Sequence, residues 1–227
     1  MAKSKKNEEV RTSIDNLNDS LTSIGEKVQK NQKPLMIATI CVVAVVALVL
    51  VYVFLMRNPA IDEANTAVGA ADREMLINGN DSIALDIYQQ VAEDGYDAGN
   101  RAKLMAAIQL YQQGKYEEAL GFVSEYSAKD AIIGAAAYSL EGDCYVNLDN
   151  LDAAVGSFKN AISQSDANPH YTPFFMLKLA RVYRAQDNFE GALKLYEEIR
   201  ADYPNYATAN GVNIEKEIEF ARVKAGK

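Results

Sequence analysis

From Leu35 to Met56 the chain reads LMIATICVVAVVALVLVYVFLM, 22 residues without a charge, a glycine or a proline. As a helix this run spans about 33 Å, enough for a hydrocarbon layer of about 30 Å. A fully buried core helix can also be apolar on all faces, but 22 uninterrupted residues would be very long for one. A cleavable leader has a shorter apolar core after a short basic region. Here 34 residues precede the run and no A-x-A site follows, so the segment is expected to stay as an anchor. Ahead of it, Val10, Ile14, Leu17, Leu21, Ile24 and Val28 recur at alternating spacings of 4 and 3 on a polar background. That stripe predicts a short amphipathic helix, weakened by Gly25. Alone in water it would be marginal, so it needs a second surface. Another copy, a partner's cytoplasmic loops or the bilayer would each serve.

Beyond the apolar run the pattern changes to small and aromatic residues at helical spacing. Ala84, Ala119, Ala154 and Ala192 stand 35, 35 and 38 residues apart, followed by Tyr88, Val123, Phe158 and Tyr196 at the fourth position after each. Gly142 and Tyr145 precede the third of these alanines, and Ala180 and Tyr183 the fourth, with Pro204 closing. The arrangement resembles the tetratricopeptide unit of 34 residues, a G-x2-Y helix followed by an A-x3-F helix and a proline. Small residues let two antiparallel helices approach closely, and aromatic residues fill the gaps between successive pairs. One unit cannot cover its own apolar face, so stacking must build the core. The longer interval before the fourth unit coincides with Ser-Asp-Ala-Asn-Pro, a turn-forming insertion.

The pattern predicts paired helices near Ile61–Asn78 and Asp81–Asp94, Ala98–Gln113 and Tyr116–Ser127, Asp130–Asn147 and Leu151–Gln164, and His170–Gln186 and Phe189–Asp202. A last helix from Ala207 to Ala225 would cap the open end. The expected fold is all-α: a single transmembrane helix, then a tetratricopeptide α-solenoid of about four helix pairs with a C-terminal capping helix. The expected parts are a tail over 1–34, an anchor over 35–56 and a repeat domain over 57–227.

Charge sharpens the picture. Residues 1–34 carry a net +2 and the chain from Met56 onward a net -10, together the -8 of the whole. An acidic soluble part repels phosphate backbones, which argues against nucleic acid as a partner. Lys27, Lys30 and Lys33 crowd the amino side of the span, whereas Arg57 stands alone beyond it. The positive-inside rule therefore places the tail in the cytoplasm and translocates the acidic domain. Cys41 lies in the apolar run and Cys144 in a repeat, so the two belong to different solvents and no disulfide is expected. With His170 the sole histidine, no metal-ligand spacing exists. There is no phosphate-binding glycine loop and no G-x-S-x-G turn, and carboxylate pairs such as Glu117–Glu118 and Glu197–Glu198 read as solvated or dipole-favourable charges. No catalytic residue, cofactor or small-molecule substrate is expected.

The segments GDCYVNLDNLDAAVGSFKNAI and TPFFMLKLARVYRAQDNFEGALKLYEEI, set behind a polar tail and one span, carry a further likeness. Over roughly residues 8–225 the layout resembles the YfgM-like tetratricopeptide proteins of Gram-negative inner membranes, ancillary subunits of the SecYEG translocon. The resemblance implies repeats exposed to the periplasm, association with the translocon and a membrane-anchored chaperone, and help for emerging unfolded chains. In tetratricopeptide arrays the first helix of each unit lines a concave groove. Projected onto this sequence, that face comprises Arg101, Leu104, Ile108 and Tyr111, then Asp143, Val146 and Asn147, then Phe174, Leu177, Arg181 and Arg184. Such a mixed lining suits extended or helical peptide. Arg181 and Arg184 either grip an acidic peptide or pair with local acids such as Asp187. A structural adaptor in another envelope assembly, for division or outer-membrane biogenesis, is the competing expectation.

Overall fold

A computed structural model describes residues 18, 20–24, 28–93 and 96–227. Among them every regular element is helical. The chain divides into two compact units, Met1–Ala60 and Ile61–Lys227.

In the first unit, α1 runs from Gln32 to Val51 and passes into a π-helical stretch, Tyr52–Arg57. No residue of α1 is buried, although its sequence is almost wholly apolar. It is the one helix among the described residues long and apolar enough to cross a membrane. Of the tail stripe, Leu21, Ile24 and Val28 are exposed; Val10, Ile14 and Leu17 lie outside the described residues. Ile24 and Val28 line an apolar hollow with Pro34 and Leu35.

The second unit is a solenoid. After α2 (Asn58–Arg73) and a π-helical turn (Glu74–Asn78) come α3 (Asp81–Val91), α4 (Asp97–Gln112), α5 (Tyr116–Ser124), α6 (Ile133–Asn147), α7 (Leu151–Gln164), α8 (Thr172–Ala185) and α9 (Phe189–Asp202). From α3 onward each helix packs on the next, and α4 also touches α6, the first helix of the following pair. The apolar interior is accordingly a chain of clusters, each shared by neighbours. Ala84, Ala119, Ala154 and Ala192 are all fully buried, as their repeat spacing requires. Gly142 is needed for close approach: a Cβ there would stand 2.8 Å from Phe158 of the opposing helix.

The turns inside the pairs repeat one solution. Gly79, Gly114, Asp149 and Asp187 each adopt positive φ just past the end of a first helix. Asn150 and Asn188 then cap the second helices by accepting from the backbone N–H of Ala153 and Gly191. Two aspartates thus take a left-handed role more usual for glycine, tolerable because their short polar side chains suit that region.

Several boundaries differ from expectation for local reasons. Helix α5 stops at Ser124 because Asn100 holds Ser127 by both its N–H and its carbonyl, at 2.7 and 3.1 Å, outside the helix. Helix α6 starts at Ile133 because the Asp130 side chain accepts from the N–H groups of Ile132 and Ile133. In the 165–171 insertion, Asp166 and Ala167 take positive φ and Asn168 caps His170 and Tyr171, delaying α8 to Thr172. The single capping helix expected over Ala207–Ala225 is instead two: α10, Pro204–Ala209, and α11, Ile214–Lys224. Pro204 opens the first, Gly211 at φ 66° ends it, and the Asn213 side chain caps the second at the N–H of Lys216.

Candidate peptide groove

The first helices α4, α6 and α8 present the residues expected to form a groove, and α11 extends the row. Tyr111 of α4 and Asn147 of α6 meet directly: the Asn147 amide donates to the Tyr111 hydroxyl at 3.2 Å. The amide also donates to the carbonyl of Asp143 at 2.8 Å, which fixes its orientation. Asp143 faces α8, where the Lys178 ammonium lies 2.5 Å from its carboxylate and donates to the Ser139 hydroxyl at 3.0 Å. The same ammonium sits 4.9 Å from the Phe174 ring centroid. Burial pushes the Asp143 carboxyl above its ordinary range, and Lys178 offsets only part of that. Phe174 and Val146 remain exposed, and Ile108 is half-buried.

Arg184 does not pair with Asp187. Its guanidinium reaches Glu217 of α11 at 2.6 Å and lies 4.4 Å over the Phe220 ring. Arg101 likewise binds Asp72 of α2 at 2.6 Å, and Tyr88 donates to the other oxygen of that carboxylate. Arg181 is exposed.

Two expected groove residues are largely buried in the core, although Leu104 still edges a cavity. Leu104 packs with Ala107, Val123 and Ala137, and Leu177 with Met176, Ala180 and Tyr196. Each helical step rotates a side chain by about 100°, so Leu177 turns inward where its neighbour Lys178 turns out. Neither Lys178 nor the contribution of α11 belongs to the face projected from the repeat pattern. The available signal for Lys178 was its place three residues before Arg181, at one turn's spacing.

Several cavities lie along the expected face. Arg101 and Leu104 line a cavity of about 320 Å³ with Tyr126 and Ile133, between α4 and the start of α6. Asp143, Val146, Phe158, Lys178 and Arg181 line a second, of about 240 Å³. Arg181, Arg184, Phe189, Phe220 and Lys224 line a third, of about 480 Å³. These mix apolar walls with a few charged groups, a chemistry suited to holding side chains of a polypeptide.

Reactive chemistry is sparse in the same region. Cys144 is fully buried, and that burial pushes its thiol up to about 12, with Asp143 and Glu141 adding to the effect. In a Cys41→Ser background, a maleimide at pH 8 is expected to leave native Cys144 unmodified and to label it only after denaturation. Rapid native labelling, read by intact mass, would show that α6 opens. Among the described residues no three His, Cys, Asp or Glu side chains gather as a metal site.

Comparison with known proteins agrees with this fold. The tetratricopeptide-repeat family matches residues 175–206, from α8 into α10. A crystal structure of MamA protein superposes with a TM-score of 0.57 at 17% identity, over 72% of this chain and 82% of that one. A second MamA crystal structure gives 0.50 at 17% identity, over 69% and 94%. Tetratricopeptide-like repeats of a putative kinesin light chain from Podosopora anserina give 0.51 at 16% identity, over 75% and 97%. No curated protein matches the chain. The second unit is a tetratricopeptide-like helical solenoid, an architecture that serves as a protein–protein interaction scaffold.

Proposed function

We propose that this chain is a periplasmic scaffold of a bacterial inner membrane, held by the span 35–56, with the tail 1–34 in the cytoplasm and the repeat domain 57–227 outside it. The observation that carries the reading is the pairing of an apolar helix with no buried residue with a solenoid whose first helices expose Val146, Phe174 and Arg181 on one face. A tether of this kind keeps a peptide groove where a translocating chain emerges extended. The groove engages such clients weakly, through Tyr111, Asn147, Phe174, Arg181 and Arg184, and the chain acts as an ancillary subunit of the SecYEG translocon beside a membrane-anchored chaperone. The likeness in layout to YfgM-like proteins supports that assignment, and the lysines before Leu35 support the orientation. The tail stripe, Val10 to Val28, docks on the cytoplasmic side.

Two experiments test the two halves. A reporter active only outside the cytoplasm is expected to work when fused after Lys227 and to be silent after Gln29. Photocrosslinkers placed in Val10–Met56 are expected to capture translocon subunits, and crosslinkers at Phe174 or Asn147 to capture clients. Capture of division or outer-membrane assembly components alone would establish the adaptor reading instead, and a reversed reporter pattern would remove the translocon-exit reading.

A further inference from the structure

Three cations lie at one-turn spacing on the groove side of α8: Lys178, Arg181 and Arg184. The outer two are neutralised by neighbouring helices, Lys178 by Asp143 of α6 and Arg184 by Glu217 of α11. Among the described residues the middle one, Arg181, has no carboxylate partner and no side-chain hydrogen bond. Lys224 of α11, across the 480 Å³ cavity, also lacks an ion pair among them. Arg181 stands where two cavities meet, one walled by Val146, Leu151 and Phe158, the other by Phe189 and Phe220. An apolar wall beside a cation excludes water and strengthens whatever anion the cation meets. Solvated pairs on an open surface gain little by comparison.

Local and global charge disagree at this point, and the disagreement is informative. The chain from Met56 onward carries a net -10, which repels acidic polypeptide in general. An acidic side chain is therefore favoured only where cations are left uncompensated, which here means Arg181 and Lys224. The guanidinium fork also donates two parallel N–H bonds to a carboxylate, a match that a neutral amide cannot offer. Because cavities flank Arg181 on both sides, one walled by Val146, Leu151 and Phe158 and the other offering the rings of Phe189 and Phe220 among cations, a bound chain would continue past it in both directions, so the anion it meets would be a side chain within the segment.

We propose that Arg181, assisted by Lys224, makes this groove select partner segments bearing an internal Asp or Glu with apolar residues on both sides. The proposal rests on the groove being a polypeptide site, as argued above, and specifies which polypeptide. The test uses the full chain in nanodiscs and fluorescent twelve-residue peptides, blocked at both ends, with a central Asp or Asn between Leu and Phe. Fluorescence anisotropy is expected to show the Asp peptide binding about tenfold tighter than the Asn peptide, the range of a hydrogen bond to a charged group. Arg181→Gln should erase that difference. Because Arg181 is exposed and makes no ion pair or side-chain hydrogen bond among the described residues, the variant's melting temperature should be nearly unchanged. Arg101→Gln, in a different cavity, should preserve the difference. Equal binding of the two peptides by the unaltered protein overturns the selectivity while leaving the groove reading intact. Failure to bind either peptide removes both. Discrimination that survives Arg181→Gln overturns the assignment of the residue. Equal peptide binding together with dimerisation that Arg181→Gln abolishes would give the cavity to an acidic face of a second copy.

Discussion

Ala154→Arg is expected to destabilise the solenoid by about 3–5 kcal/mol, a large part of the stability of an ordinary domain. Ala154 is fully buried on α7, among Phe158, Leu179 and Val182. The cavity fits a methyl group, so a guanidinium would have to displace these side chains or remain buried without a carboxylate. In a solenoid the damage should travel to nearest neighbours first. Amides of α6, α7 and α8 should therefore lose hydrogen-exchange protection before those of α4. Glu118→Arg, on the exposed side of α5, should change stability by no more than about 0.5 kcal/mol. Equal melting temperatures for the two variants, measured by circular dichroism on the full chain, would show that the repeat register is misplaced.

Removal of Pro204–Lys227 is expected to cause aggregation or partial melting at the carboxyl end. Helices α10 and α11 contribute Tyr206, Ile218 and Ala221 to the cluster that contains Met176, Tyr196 and Ile199. Uncovering large apolar side chains costs about 1.5–3 kcal/mol each. The deletion would also leave Arg184 without Glu217, and Glu197 and Glu190 without Arg222 and Lys227. Sedimentation and thermal melting should both respond, with loss of protection concentrated in α8 and α9. A truncated chain that stayed monomeric with an unchanged melting temperature would mean these helices serve a partner and not the solenoid end.

The two predictions draw on different kinds of information. That Ala154 sits in a tight place was readable from its interval to Ala119 and from Phe158 four residues on, because helix pairing imposes a local period. Leu151–Gln164 and Phe189–Asp202 were bounded correctly for the same reason: a turn, an asparagine cap and a periodic apolar face occur within a few residues of one another. The closing helix was readable as an element but not as two, since Pro204, Gly211 and Asn213 each mark a boundary that apolar period alone overlooks.

The groove divides along the same line. The placement of Tyr111, Asn147, Phe174 and Arg184 on first helices was legible from the helical period. Whether a residue at the margin of the groove face points out or in depends on how each helix is rotated against its neighbours. Packing turned Leu104 and Leu177 inward and left Lys178 on the groove side. The pairing of charges lay further beyond reach. Lys178 and Asp143 are 35 residues apart, and Arg184 and Glu217 are 33 apart. Helical period sets which side chains share a face, because it is a property of the backbone. Which cation on that face finds a carboxylate depends on the distance between helices, and only the packed chain leaves Arg181, of the three, without a carboxylate among the described residues.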